Sequence, residues 1–519
     1  MIKIFDRIVL LLFTLTFLVA VNDSLFAQSR HMSAQSLGLG GGGTAYQDLY
    51  HANFINPANL MLNSEKRPKI TIGLVGGVSS RAGGSLVNIS VYNDYLTSGR
   101  TINSGTADEM LDKWFGTNDN NLRSVQADLS VIPLGFVYRS EKWTASAVSR
   151  ARILGNSGYS RGFADLFFNG LNAGLFSEGR ALDTEQNLYM FNEISAGFAT
   201  TVWETDQLFG FGSNAKLHVG AAPKLLISNN YFSASLVSNL QIQEASGNTP
   251  SEIRHSFSYE VEALGELSNQ LAQFKRDQQA GTDPALGDYI DLDSGDFRGV
   301  SGVSLGIDFG ATLEMNIDDI SFFNRSFFEG EKKLRVGLSV TDLGSLNFND
   351  QSRTFSASDD FVWQGFNYDR DVIEEEFDGD EDKYFESVLT DSIGNDIYAN
   401  FRVDESSGFK KSLPSMINFG TQLLLGKFSY MMDIGTGFNT TGTNSKNLSF
   451  ALGSEYRFFD LWPVRLGLRT GGYGSTAYHI GTGIKLRNFE FSLGAATTSN
   501  SASRGNSIGF AWSGFVVHF

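Results

Sequence analysis

The 519-residue sequence has no cysteine and only 8 prolines. Lacking thiols, it can form no disulfide, Fe–S cluster or thiolate zinc site. Beyond the amino terminus, no stretch approaches the roughly 20 apolar residues that a transmembrane helix needs, so any later membrane span must be a strand. Positive charge is also scarce, with 40 Lys and Arg against 57 Asp and Glu and a net charge of −17. That balance excludes the basic footprint of a nucleic-acid-binding protein. The six histidines, His31, His51, His218, His255, His479 and His518, show neither i,i+4 pairing nor metal-ligand spacing. No nucleophile elbow or other catalytic signature is present, so no enzyme activity, metal or cofactor is expected.

What is abundant is glycine, 56 residues, and phenylalanine, 43, in a chain that is 41% hydrophobic with a mean hydropathy of −0.13. Many aromatics without a long apolar run fit a barrel, in which lipid-facing and lumen-facing residues alternate and average out. At the amino terminus, Lys3 and Arg7 precede an apolar run from Ile8 to Val21, and Ser24-Leu-Phe-Ala27 before Gln28 reads as a cleavage site. This is an export signal, and Gln28 in place of cysteine argues against a lipoprotein anchor. At the other end, Gly514, Val517 and the terminal Phe519 resemble the signal that barrel-assembly machinery reads on a last strand. Trp512 departs from that pattern, standing where a polar residue is usual.

Apolar residues recur with period two. Leu448, Phe450, Leu452, Tyr456 and Phe458 alternate with Ser449, Ala451, Gly453, Glu455 and Arg457. The pattern continues with Val464, Leu466 and Leu468 against Arg465, Gly467 and Arg469, then with Tyr478, Ile480 and Ile484 against His479, Gly481, Gly483 and Lys485, and with Phe489, Phe491 and Leu493 against Glu490. In a soluble sandwich the apolar face would pack on a second sheet. In a membrane barrel it faces lipid, and Glu455, Arg457, Arg465, Arg469, His479, Lys485 and Glu490 line the lumen.

Loop lengths decide for the barrel. With the last strand descending to the periplasm, short turns such as Ser140-Glu141, Gly426-Lys427, Asp460-Leu461-Trp462 and Arg487-Asn488 fall on one side and the longest loops on the other. Sixteen candidate strands are visible. The pair starting near Tyr231 and Ile253 is the weakest, and removing it as an external hairpin would preserve the parity of the rest. Three loop segments, Thr106 to Phe115, Phe163 to Phe176 and Glu262 to Gln278, carry helical spacing.

Between signal and first strand, Leu37-Gly-Leu-Gly-Gly-Gly-Gly-Thr-Ala-Tyr-Gln-Asp48 is followed by Asn56-Pro57-Ala58. Gly38, Gly40 and Gly43 satisfy G-x-G-x-x-G, but without a preceding strand or a βαβ unit this is no dinucleotide site. Gly38, Gly40, Gly41, Gly42 and Gly43 instead permit left-handed backbone and close approach, and Pro57 gives a rigid turn.

The Gly-rich segment with Thr-Ala-x-x-Asp and Asn-Pro-Ala, together with Val340-Thr-Asp-Leu-Gly344 and Leu413-Pro-Ser-Met-Ile-Asn-Phe-Gly420, resembles the amino-terminal hatch and barrel of the FadL/TodX family of outer-membrane transporters. It also resembles uncharacterised and protein-secretion accessory barrels with the same hatch. The resemblance implies a 14-stranded barrel occluded by its amino-terminal segment, with hydrophobic substrates entering from outside and leaving sideways near a kinked strand; with the Tyr231 and Ile253 pair set aside to match it, fourteen strands are expected and sixteen are the alternative.

The expected division is a signal peptide over 1–27, a hatch over 28–68 and an outer-membrane β-barrel over 69–519. Two functions compete: passive uptake of fatty-acid-like or hydrocarbon-like molecules, or a non-enzymatic scaffold or shuttle of secretion or surface machinery. Expected partners are outer-membrane lipid, barrel-assembly machinery, and a hydrophobic ligand or a surface protein, in the outer membrane of a Gram-negative bacterium. Asp371 to Asp382 and Asp291 to Asp296 are carboxylate-rich, but lack EF-hand spacing and read as solvated acidic loops rather than calcium sites. Deleting Phe519 should lower the yield of heat-modifiable barrel and leave protease-sensitive protein in the periplasm. Unchanged barrel yield on a gel run with and without boiling would refute the terminal signal.

Overall fold

The fold is taken from a computed structural model that describes residues 31–63, 68–116, 122–209, 212–246, 251–281, 289, 299–318, 329–364, 400–472, 476–499 and 505–519. The expected export signal over 1–27 and both acidic segments, Asp291 to Asp296 and Asp371 to Asp382, lie outside the described residues.

Fourteen antiparallel strands close into a barrel. The first half comprises β1 (Ile70–Gly84), β2 (Arg123–Arg139), β3 (Trp143–Tyr159), β4 (Thr184–Leu208), β5 (Gly212–Gln243), β6 (Gly302–Asn316) and β7 (Lys332–Phe348). The second comprises β8 (Met416–Leu425), β9 (Phe428–Gly437), β10 (Ser449–Phe458), β11 (Trp462–Gly471), β12 (Ala477–Lys485), β13 (Phe489–Thr498) and β14 (Asn506–Trp512, resumed over Phe515–His518). Closure is made by β1 against β14, with Val78 opposite Trp512 and Ile72 opposite Val517. The terminal residue is part of this seam, since Phe519 N donates to Ile70 O at 2.9 Å.

Two-residue alternation sorts the wall. Leu466, Ile480, Tyr478, Ile508 and Phe510 are exposed on the outside, while Glu455, Arg465, Arg469 and His479 of the same strands and their neighbours are buried. Phe209, Phe459 and Trp462 stand exposed at the end with short turns, the position of an interfacial aromatic girdle.

The strand near Tyr231 is the continuation of the one near Asn214, because β5 runs unbroken for 32 residues. Its upper half leaves the barrel and pairs with the strand Glu252–Ala263, which in turn pairs with Arg353–Gln364. A sheet thus rises above the rim, covered by the helix Gly265–Gln279 through Leu271 and Phe274 against Phe355 and Phe401. Of the segment Glu262 to Gln278, the first residues belong to the strand and the rest to the helix.

The other two helical segments also form. Ser104–Phe115 opens on a reciprocal capping box of Asn103 and Thr106. The run Phe163 to Phe176 is two helices, Arg161–Asn169 and Ala173–Phe176, broken at Gly170 with φ 62°. Arg161 pairs with Asp112 at 2.7 Å, joining these helices over the mouth.

The strand directions set a test. Single cysteines in this cysteine-free chain at Ser98 or Lys446, both exposed at the long-loop end, should react with an impermeant maleimide on intact cells. Cysteines at the exposed Lys427 or Asn488 should react only after the envelope is permeabilised. Inverted labelling would reverse the orientation.

Candidate functional site: a plug seated on bare backbone

The segment 31–63 fills the lumen. It starts with a short helix, Ala34–Gly38, capped by the Ser33 side chain accepting from Ser36 N. Gly40 and Gly41 then adopt φ of 86° and 74°, a region that costs an L side chain strain. Asn56 caps the 3₁₀ turn Pro57–Met61 by accepting from Ala58 N, with Pro57 in the first helical position, where its missing N–H costs nothing.

The wall meets this segment with glycines. Among the described residues five directly opposed pairs lie against the plug: Gly73–Gly135 on β1 and β2, Gly220–Gly310 on β5 and β6, Gly337–Gly420 on β7 and β8, Gly453–Gly467 on β10 and β11, and Gly481–Gly494 on β12 and β13. Each pair is a window of bare backbone on which one piece of the plug lies. A Cβ on Gly481 would stand 2.9 Å from Gly38 Cα, on Gly453 2.6 Å from Leu39 O, and on Gly420 2.8 Å from Thr44 Cβ. On Gly220 it would stand 2.5 Å from Pro57 C, and on Gly73 or Gly135 it would enter the Tyr50 ring.

Polar groups finish the seat. His479 Nδ1 lies 2.7 Å from Leu37 O on β12, and Thr44 N donates to Asp433 Oδ1 on β9 at 2.9 Å. Asn56 Nδ2 donates to Thr44 O at 2.6 Å and to Thr312 Oγ1 on β6 at 2.9 Å. Asn53 bonds Ser146 on β3 and Ser195 on β4, and Tyr50 Oη donates to Gly76 O on β1 at 2.8 Å. Buried hydrogen bonds of this kind contribute about 1 kcal/mol each, and leaving one partner unpaired costs about 1–3 kcal/mol. Gly42 packs on Asp433 and Gly43 on Ile55, and Ala58 is fully buried.

On the extracellular side of the plug lies a layer that sequence reading missed. Arg150 and Arg152 of β3, Glu193 of β4, Lys224 of β5, Asp308 of β6 and Asp342 of β7 form three cations against three anions, all buried. Arg150 Nη2 pairs with Glu193 at 2.6 Å, Arg152 with Asp342 at 3.1 Å, and Lys224 with Asp308 at 2.7 Å and Asp342 at 2.5 Å. Arg150 also lies 3.7 Å over the Phe54 ring, tying the layer to the plug. Asp342 sits in a β-bulge with φ 55°, which aims its carboxylate at both Arg152 and Lys224. The available signal was Arg150 and Arg152 at alternate positions of one strand.

The sequence-predicted lumen residues fall into two groups. Arg465 Nε binds Glu455 at 2.8 Å and Arg457 binds it at 3.1 Å, while Glu490 is 3.5 Å from Lys485 and 3.4 Å from His518. Arg469 and His479 instead face the plug, at Gly41 and Leu37. Two of the scattered histidines come together: His31 Nε2 and His51 Nδ1 are 3.1 Å apart inside the plug. Burial lowers both, His51 to about 4, so the pair is neutral and one ring donates to the other. Among the described residues no group of three His, Cys, Asp or Glu could hold a metal. Gly514, with φ 67°, sits against Val75 of β1 at a break in β14, and Val517 pairs with Ile72.

The family described as "Family of unknown function (DUF5723)" matches residues 57–496. No curated protein sequence matches the chain. Among solved structures it is similar to the TodX deltaS2S3 mutant monoaromatic hydrocarbon channel, at 11% identity and a TM-score of 0.46, covering 94% of this chain and 99% of that one. It is also similar to the CymD monoaromatic hydrocarbon channel, at 12% identity and 0.41, covering 95% and 99%. A Pseudomonas aeruginosa FadL homologue follows at 10% and 0.40, covering 95% and 98%.

Side chains at the windows should unseat the plug. Gly467→Val and Gly481→Val should each cost at least about 2 kcal/mol, the upper part of the usual overpacking range, and expose residues 31–63 to protease in the purified barrel. Gly155→Val is the control, since a Cβ there meets nothing within 4 Å. Equal protease resistance of all three would show that the windows are not close contacts.

Proposed function

The chain belongs to the DUF5723 family, a family of unknown function, and from that premise we propose that it is a passive outer-membrane route for hydrophobic small molecules in a Gram-negative envelope. Solutes enter from the extracellular side and leave sideways through the wall, with no energy source and no covalent chemistry. The observation that carries this reading is the seating of the plug on glycine pairs around the circumference. Contact of the plug with bare backbone on so many strands supports release towards the bilayer over passage straight down the lumen. Apolar solutes gain about 0.8 kcal/mol per methylene on leaving water, which drives lateral release unaided.

The lining above the plug narrows the substrate class. A cavity there places Arg81, Arg150, Arg152, Asp128 and His31 beside Met32 and Leu37. Three arginines against one carboxylate, with Met32 and Leu37 among them, support an acid head on a hydrocarbon tail over a bare hydrocarbon. A second reading, an interaction barrel of secretion or surface machinery, is favoured by one feature. The sheet of β5, Glu252–Ala263 and Arg353–Gln364 rises above the rim, where a protein partner has access.

Purification from native membranes separates the two: long-chain acid retained in the lumen supports transport, and a stoichiometric protein partner supports the scaffold. In planar bilayers the intact protein should pass almost no ions, whereas deletion of residues 38–58 should open a pore lined by charged groups. A wide conductance from the intact protein, or none from the deletion, would overturn the plugged-transporter reading.

A further inference from the structure

Register shifts occur at several places in the wall, between β2 and β3, β4 and β5, β5 and β6, and β6 and β7, and at the closing seam β2, β1 and β14 are irregular together at one height. Between Leu74 and Gly77, β1 carries an extra residue relative to β2, where Pro133 interrupts the opposing ladder. Against β14, residues 75–77 have no register partner: Leu74 faces Phe515 and the next pair is Val78 with Trp512. On the β14 side of this gap Ser513 N donates to Ser492 O on β13, away from β1. Val75 has φ 46°, strained for a β-branched residue, and Gly514 opposite has φ 67°.

The plug covers this gap from inside. The Tyr50 ring lies flat across Gly73 and Gly135, and its hydroxyl binds the Gly76 carbonyl. His51 packs next to Gly77. Outside, Trp512 and Phe515 stand edge to face at 5.6 Å, beside the exposed Leu74 and Val75. The cavity above the plug reaches Ser79 on β1 and Phe510 on β14, a few residues along the same seam.

We propose that the lateral port lies between β1 and β14 at residues 75–77 and 513–514, closed on the lumen side by Tyr50 and flanked on the bilayer side by Trp512 and Phe515. Its ligand is an apolar chain with a small polar head. This rests on the lateral-release reading and adds where release occurs and what holds it shut. Movement of the plug that lifts Tyr50 takes a ring and a hydrogen bond from a stretch where the ladder has no cross-strand pair to replace them. Trp512 thereby acquires a reason to depart from the usual terminal pattern, as a lipid-side post of the port.

The test clamps the seam. Directly opposed residues on one face of a sheet have Cβ atoms about 4.5–5.5 Å apart, within adjustment of a disulfide, and the chain has no other thiol. Val78→Cys with Trp512→Cys closes the top of the gap, and Leu74→Cys with Phe515→Cys the bottom. The control clamp is Ala221→Cys with Phe309→Cys, joining β5 and β6 far from the seam. Uptake of a pyrene-labelled fatty acid is followed in cells producing each full-length protein, oxidised and then reduced.

Uptake by the seam-clamped proteins should fall to the level of cells lacking the protein and return on reduction, while the control clamp changes nothing. Because reduction restores the same molecules, a folding defect cannot mimic this result. Tyr50→Phe, which keeps the ring and loses the hydroxyl, should raise uptake. Unimpaired uptake with both seam disulfides formed would overturn the port while leaving passive transport standing. No uptake by the unclamped protein would overturn both.

Discussion

Contact between the plug and the naked backbone of the wall is the constraint on which the rest depends. A strand with side chains keeps any neighbour a Cβ away, and within a narrow lumen that spacing would leave a continuous film of water around the plug. At Gly453–Gly467 and Gly481–Gly494 the spacing is removed, so that Leu39, Gly40, Gly38 and Ala34 rest on the strands themselves. Glycine on both sides is then required: Gly38 meets Gly481 backbone to backbone. The penalty that glycine carries in a strand, from chain entropy and lost packing, is offset by close contact and by side-chain hydrogen bonds from Asn53, Asn56 and Tyr50 to the wall.

A second constraint follows from burial of charge. Ions removed from water are tolerated only when paired and hydrogen-bonded, and the layer above the plug meets this with equal numbers of each sign. Arg150, held between the Phe54 ring and Glu193, belongs both to the wall and to the plug's surroundings. Most members have two or more partners, Glu193 meeting both Arg150 and Arg152 and Asp342 both Arg152 and Lys224, so the layer spreads the loss of one group over several. Lys224 differs, as the cation that Asp308 pairs with, and its removal would cost about 3–5 kcal/mol.

The barrel was legible because period-two alternation is a local property: Leu466, Ile480 and Tyr478 on one face and Arg465, Arg469 and His479 on the other can be read residue by residue. Loop parity likewise needs only lengths, but it allows sixteen strands as well as fourteen, and the family resemblance decided for fourteen by setting the Tyr231 and Ile253 pair aside. The plug was visible through Gly38 to Gly43 and Asn56-Pro57, whose composition suits no regular element. What could not be read was registration. That Gly337 faces Gly420, or that six charges from five strands converge, depends on the stagger between strands distant in sequence. The bulge at Val75 was hidden for a related reason, since a β-branched side chain ordinarily avoids left-handed backbone.

The reach of the plug's contacts has a consequence for how the molecule is built. His479 and Leu37 are 442 residues apart in sequence, and Thr44 and Asp433 are 389 apart. Chain order delivers the plug first, yet its seat on β10 to β13 exists only when those strands have paired. Contacts of such long range are slow to form, because the intervening chain must be ordered before they stabilise anything. The windows that hold Tyr50 and Pro57 belong to β1, β2, β5 and β6, which come early in chain order, whereas Gly38, Leu39 and Gly40 find their seats only after β10 to β13 have paired. The plug thus settles from its carboxy-terminal end backwards, and its first residues are the last to be fixed.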